Sequence, residues 1–148
     1  MAYSRRSFLN SILAFLWFWV PTVGWSRKTG PDSGFVGRLA TAMEQETGDH
    51  QPSTSELVML EAPDIAEDGS SVPISIASEL PSVDTIWVFV EKNPTPLAAR
   101  FDLHECLDPF ISLRIKMNES CEIIAMVRSA GEYFTARKKV RVVVGGCG

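Results

Sequence analysis

Gly145-Gly146-Cys147-Gly148 places one thiol inside a run of glycines at the end of the 148-residue sequence. A thiolate is a polarisable nucleophile, and an exposed one in an oxidising compartment is a liability unless that reactivity is used. Glycine has no Cβ and samples both signs of φ, which makes the segment narrow and conformationally free. It follows Val140-Arg141-Val142-Val143-Val144, a β-branched run that predicts a final strand anchored in a folded body. Four residues at ~3.3 to 3.6 Å each reach roughly 13 Å, far enough to carry a thiol into a partner's cleft. The plain alternative is a frayed chain end that happens to contain cysteine. A catalytic nucleophile is disfavoured, because a glycine arm cannot keep the thiol beside an orienting base.

Two further cysteines, Cys106 and Cys121, leave Cys147 over if they pair. Cys106 precedes one predicted strand and Cys121 follows it, so a disulfide needs the preceding loop to fold back along that strand. The other reading is two small hydrophobes with inert thiols. His50 and His104 stand far apart with no neighbouring ligand spacing, and His104 reads as a loop residue. No GxxxxGK[ST], HExxH, CxxC or EF-hand pattern occurs, so neither a metal nor a nucleotide site is expected.

The net charge of -4 argues against a nucleic-acid surface, which requires a basic excess. Ser4-Arg5-Arg6-Ser7-Phe8-Leu9 matches the twin-arginine export pattern, and an apolar run from Ile12 to Val23 follows it. That run is shorter than the ~20 apolar residues of a membrane span and is broken by Pro21, so a permanent anchor is not expected. Residues 1–24 are therefore assigned as a signal peptide with cleavage near Gly24. Its removal takes away Arg5 and Arg6 and no acid, leaving a mature charge of -6.

Residues 25–55 read as a linker, Pro/Gly/Ser-rich from Gly30 to Gly34, and a short amphipathic helix from Phe35 to Thr47 with Phe35, Val36, Leu39, Ala40 and Met43 at near-helical spacing. From Leu57 onward the pattern is strand and turn. Strands are predicted at Leu57–Glu61, Val72–Ser78, Thr85–Glu91, Ala98–Leu103, Phe110–Met117, Glu122–Arg128 and Tyr133–Val144, the last divided near Arg137. Ile111, Leu113, Ile115 and Met117 alternate with polar residues, the signature of a half-buried strand. Ile86-Trp87-Val88-Phe89-Val90 is apolar on both faces, so it is either sandwiched between two layers or presents Trp87 and Phe89 to a partner. Seven strands without alternating helices predict an all-β, immunoglobulin-like antiparallel β-sandwich over residues 56–144, with residues 145–148 as its arm.

Several segments together resemble the SoxY family, the sulfur-carrying subunit of the periplasmic thiosulfate-oxidising Sox system. Ala62-Pro63-Asp64-Ile65-Ala66-Glu67-Asp68-Gly69 with Val72-Pro73-Ile74 is similar to the family's early segment. Glu91-Lys92-Asn93-Pro94-Thr95-Pro96-Leu97-Ala98 resembles its central Asn-Pro turn, and Arg114-Ile115-Lys116-Met117 the strand beyond. Val142-Val143-Val144-Gly145-Gly146-Cys147-Gly148 resembles the family's carboxy-terminal Gly-Gly-Cys-Gly-Gly arm.

The resemblance implies a non-catalytic carrier with Cys147 as the covalent attachment point, Gly145, Gly146 and Gly148 as the swinging arm, and no cofactor other than the sulfur held on Cys147. It implies a SoxZ-like partner in a heterodimer and dealings with a Sox cytochrome, a sulfate-releasing hydrolase and a sulfane dehydrogenase, all in the periplasm. Two features depart from the family pattern. Only Gly148 follows the cysteine here, bringing the terminal carboxylate one residue nearer the thiol, and Cys106 and Cys121 lie outside the matched motifs. Two other readings stand beside the carrier. One is an exported immunoglobulin-like module whose tail cysteine forms an intermolecular disulfide; fold alone does not separate it from a carrier. The other is a ubiquitin-like carrier, disfavoured because Cys147-Gly148 follows the glycine pair.

Overall fold

A computed structural model describes residues 31–143. The export signal with Arg5 and Arg6, and the arm residues Gly145, Gly146, Cys147 and Gly148, lie outside the described residues.

The chain opens with helix α1, Pro31–Thr47. The segment expected to be linker up to Gly34 is helical from Pro31 on, a residue tolerated at a helix's first position because its missing N–H has no partner there anyway. The helix stops at Gly48, whose φ of 61° and N–H bond to the Glu44 carbonyl at 2.8 Å form a left-handed cap.

Among the described residues nine strands follow: β1 Ser53–Thr54, β2 Val58–Glu61, β3 Ile65–Ala66, β4 Val72–Ser78, β5 Val83–Val90, β6 Leu97–Asp102, β7 Phe110–Ile115, β8 Cys121–Ser129 and β9 Glu132–Val142. They form two sheets. One runs β1-β9-β8-β5-β6 with β3 also on β9, and the other runs β2-β4-β7. β9 is continuous through Arg137, which pairs with Ile124 in the β8 ladder, so the division expected there does not occur. After β2 the chain passes Ala62-Pro63 and changes sheets, and β3 pairs in parallel with β9. Such a switch of sheet by one strand region, within two packed sheets that are antiparallel except where β1 and β3 join β9, gives the immunoglobulin-like sandwich.

The core between the sheets is built from alternate residues. Ile74, Ile76 and Ile115 of the smaller sheet meet Ile86, Val88, Ile123, Ala125, Val127 and Val140 of the larger. The odd-numbered apolar residues of β7 point inward as the alternation predicts, with Ile115 and the following Met117 buried and Ser112 and Arg114 exposed. The larger sheet has a second buried face. Leu39, Ala42 and Met43 of α1 pack on Trp87, Phe89, Ile124, Met126, Tyr133 and Leu97. This third layer is why β5 and β8 are apolar on both sides.

Glu46 fixes the helix to that face. Its Oε2 accepts from the Trp87 indole N–H at 2.8 Å and from Arg100 at 3.1 Å, and the Tyr133 hydroxyl donates to the Glu46 carbonyl at 3.4 Å. Arg100 also lies over the Trp87 ring, 5.6 Å from its centroid, a cation–π contact.

Candidate functional site at the root of the arm

The tail leaves the body from the end of β9, and successive backbone groups there are held from opposite sides. Arg141 N–H donates to the Asp64 carbonyl at 3.0 Å and Val143 N–H to the Ala66 carbonyl at 2.9 Å, both toward β3. Val142 N–H points the other way, donating to Ser120 Oγ at 2.9 Å, while that hydroxyl lies 3.3 Å from the Val142 carbonyl. The β8–β9 ladder ends at Cys121 and Val140. Ser120 therefore extends the pairing of β9 by a side chain where the backbone of β8 has turned away. The chain is pinned through Val143, two positions before Gly145.

A cavity of about 480 Å3 opens beside this root, lined by residues 67–70, 116–118, 142 and 143. Its walls come from two turns that the sequence separates widely. Gly69 is forced to be glycine, since a Cβ there would sit 2.5 Å from the Met117 carbonyl oxygen and 2.8 Å from Val142 Cγ1. That close approach lets Met117 N–H reach the Gly69 carbonyl at 2.7 Å. Asp68 closes the first turn by accepting from the Ser70 N–H and hydroxyl, both at 2.8 Å, and these bonds hold its carboxyl below the ordinary 3.8. Asn93 braces the second turn. Its amide donates to the Lys116 carbonyl at 2.8 Å and accepts from Asn118 N–H at 3.1 Å. Lys92, next to it, pairs with Glu119 at 3.6 Å. Among the residues lining the cavity, Lys116 is the cation and Glu67 and Asp68 are the anions.

Residues 43–147 match the sequence profile of the family described as Sulfur oxidation protein SoxY. The chain belongs to the SoxY family. The match includes the whole described β-sandwich and runs through Cys147 of the arm. Among solved structures, the chain is similar to the sulfur carrier protein SoxY from Chlorobium limicola f thiosulfatophilum. The identity is 29%, the TM-score 0.67, and the alignment covers 73% of this chain and 98% of that one. It is also similar to a superoxide reductase (neelaredoxin) from Ignicoccus hospitalis, at 16% identity and a TM-score of 0.51, covering 60% and 81% of the two chains. The latter likeness concerns the fold alone. No curated protein sequence matches the chain.

The SoxY match gives this protein a role in sulfur oxidation as a carrier, and the other sequence expectations can be placed around that. Trp87 and Phe89 do not face a partner: they are 1% and 0% exposed, covered by α1 of the same chain. The doubly apolar pattern of β5 was open to either reading, and the helix decides for the interior. Cys106 and Cys121 are not paired; both are free, the first exposed and the second buried. Cys106 lies in the loop before β7, and Cys121 begins β8 after β7 has run its length. Six residues of strand span ~20 Å, whereas a disulfide needs Cα atoms ~4.4 to 6.8 Å apart. Burial pushes the Cys121 thiol above its ordinary 9.0, with Glu91 and Glu119 adding to the rise. It is an inert core residue. His104 is an exposed loop residue whose Nδ1 lies 3.5 Å from Cys106 N–H. His50 packs on Tyr133 at 5.6 Å between centroids. Among the described residues no group of three His, Cys, Asp or Glu could hold a metal ion.

Sequence reasoning did not find Gly69, Asn93 and Ser120 as builders of the arm's root. Gly69 and Asn93 stand within the segments that resemble the family, and Ser120 within the turn that carries Cys121. Their roles depend on contacts 22 to 48 positions away in sequence, between residues 69 and 117, 93 and 118, and 120 and 142.

Proposed function

We propose that this protein holds sulfur intermediates covalently on Cys147 and presents them, on an arm rooted at Val143, to the enzymes that transform them. The observation that carries the reading is the continuity of the family match through residue 147 across a strand end held from both sides. With the root held at Val143 and Cys147 four residues beyond it, the backbone reach of the thiol is limited to roughly 14 Å about Val143, at ~3.3 to 3.6 Å per residue. Tethering keeps the cargo at high effective concentration for whichever enzyme docks.

The chemistry of loading balances as an oxidation. The Cys147 thiolate and thiosulfate join through a new sulfur–sulfur bond, and two electrons leave to a haem cytochrome. Water then attacks the terminal sulfone in a hydrolase. The bond between the sulfane sulfur and the sulfone breaks, sulfate and two protons leave, and a persulfide stays on Cys147. A sulfane dehydrogenase oxidises that remaining sulfur. The carrier supplies the thiol and the arm and performs none of these steps. Arg5 and Arg6 direct the folded protein, with a SoxZ-like subunit, through the twin-arginine route to the periplasm.

In a reconstituted thiosulfate-oxidising system, Cys147→Ser abolishes sulfate formation while leaving the fold unchanged by circular dichroism. Undiminished turnover by that variant would end the proposal.

A further inference from the structure

The odd-numbered residues of β9 turn to the helix side of the larger sheet. Tyr133 is packed there against α1, and Arg137, Lys139 and Arg141 follow it on the same face, all exposed. Alternation along the strand thus draws three cations into one row that leads toward Val143. The chain as a whole has a net charge of -4, so the row stands against the sign of the molecule.

The neighbouring carboxylates cancel only part of it. Glu122 stands opposite Lys139 in the β8 ladder but bonds Arg137, at 3.4 Å, and Glu44 of α1 borders Arg137 across a cavity. Asp64 is held by Lys138, and Glu67 and Asp68 lie with Lys116 around the cavity on the other side of the root. Arg141 has no cross-strand carboxylate, because the β8 ladder ends at Cys121 and Val140, and its neighbour on β3 is the exposed Ile65. Among the described residues neither Lys139 nor Arg141 is in an ion pair, and they are the positive surplus of this face.

An anion approaching Cys147 meets two opposed fields. Only Gly148 follows the cysteine, so the terminal carboxylate lies within ~7 Å of it along the chain. That is inside the Debye length of about 8 Å at physiological ionic strength, and the carboxylate repels the anion. Arg141, six positions before Cys147, and Lys139 pull it toward the root.

We infer that Lys139 and Arg141, on the outer face of β9, gather small sulfur oxyanions at the root of the arm, so that loading of Cys147 favours anionic sulfur compounds over neutral ones. The inference rests on the carrier reading for the thiol that is loaded. Both side chains act through their field and are positioning residues.

The test uses the mature chain with Cys106→Ser, so that the exposed thiol of the body is removed while Cys121 stays buried. Two reagents are compared by intact mass over time. Tetrathionate is a dianion: the Cys147 thiolate attacks one of its inner sulfurs, a new sulfur–sulfur bond forms to the protein, the bond between the inner sulfurs breaks, and thiosulfate leaves with the electron pair. Dithiodipyridine reacts by the same exchange without charge and so reports the thiolate alone. At low salt, Lys139→Gln combined with Arg141→Gln slows tetrathionate relative to dithiodipyridine by about 3-fold or more. Lys139→Arg with Arg141→Lys keeps the wild-type ratio. Arg114→Gln with Ser112→Asp, which makes the same change of charge at exposed positions of β7, leaves the ratio close to that of the wild type. High salt removes the difference between wild type and the glutamine pair. An unchanged ratio in the glutamine pair, or an equal fall in the β7 pair, would overturn the inference while leaving the carrier reading intact, since Cys147 is still loaded. Failure of Cys147 to react with either reagent would overturn both.

Discussion

Ser120 Oγ stands 2.9 Å from the backbone N–H of Val142 and 3.3 Å from its carbonyl oxygen, so one side chain completes the edge of β9 after β8 has ended. Opposite it, β3 takes the N–H groups of Arg141 and Val143. The last described turn of the chain is thus held by a side chain on one edge and by a two-residue strand on the other. Replacing Ser120 with alanine removes both bonds without altering β3. The expected cost is about 1 kcal/mol, since Val142 is only half-buried and water takes over its backbone groups. Denaturant unfolding measures that loss, and hydrogen exchange shows faster exchange at Val142 with Val90 and Val127 unchanged.

Glu46 is the polar anchor of α1, accepting from both Trp87 and Arg100. Glu46→Ala leaves the indole N–H of a fully covered tryptophan without its partner, at a cost of ~1 to 3 kcal/mol. The tryptophan emission shifts to longer wavelength as α1 loosens. Glu46→Gln keeps an acceptor for the indole and restores most of the stability.

Cys106 and Cys121 differ in accessibility, and alkylation reads the difference. Cys106 is exposed and reacts in the native protein, whereas Cys121 is buried with its thiol pushed up and reacts only on unfolding. Peptide mapping after native labelling recovers modified Cys106 and unmodified Cys121. An internal disulfide joining the two would contradict the observed separation across β7.

Asp64, beside the root, accepts from the Lys138 ammonium at 2.6 Å, and that bond together with the lysine's charge holds its carboxyl below the ordinary 3.8. A carboxyl depressed in the folded state contributes stability above its unfolded value and loses it as pH falls through the folded one. The contribution is therefore complete above about pH 4 to 5 and fades below 3.8. Asp64→Asn flattens that part of the acid profile of the thermal midpoint. Because the pair is exposed, added salt diminishes the same difference.

Much of the sandwich was legible in the sequence because burial on one face imposes a period of two. β4 occupies Val72–Ser78 as expected, and the alternate residues of β7 turn inward as the pattern marks, half-buried at Ile111 and Leu113 and buried at Ile115. The interruptions of that logic are equally physical. β3 has two residues, too few for any period, and exists because β9 offers it an edge. Trp87 and Phe89 could be assigned to a surface or an interior only once α1 was placed. That helix buries Leu39, Ala42 and Met43 while leaving Val36 exposed, a narrower stripe than its apolar spacing suggested. The chemistry was written most plainly in the tail, where Cys147 needs no fold to be recognised. The root that supports it was not, because Gly69, Asn93 and Ser120 act through contacts between distant turns.

The central claim is covalent carriage on Cys147, and intact mass spectrometry of the protein purified without reductant from cells oxidising thiosulfate tests it most directly. The account predicts masses increased by sulfane sulfur or by a thiosulfate-derived group, localised by peptide mapping to Cys147 and released by a thiol reductant. A population that carries no sulfur adduct, with Cys147 found only in a disulfide between two copies of the chain, would contradict it.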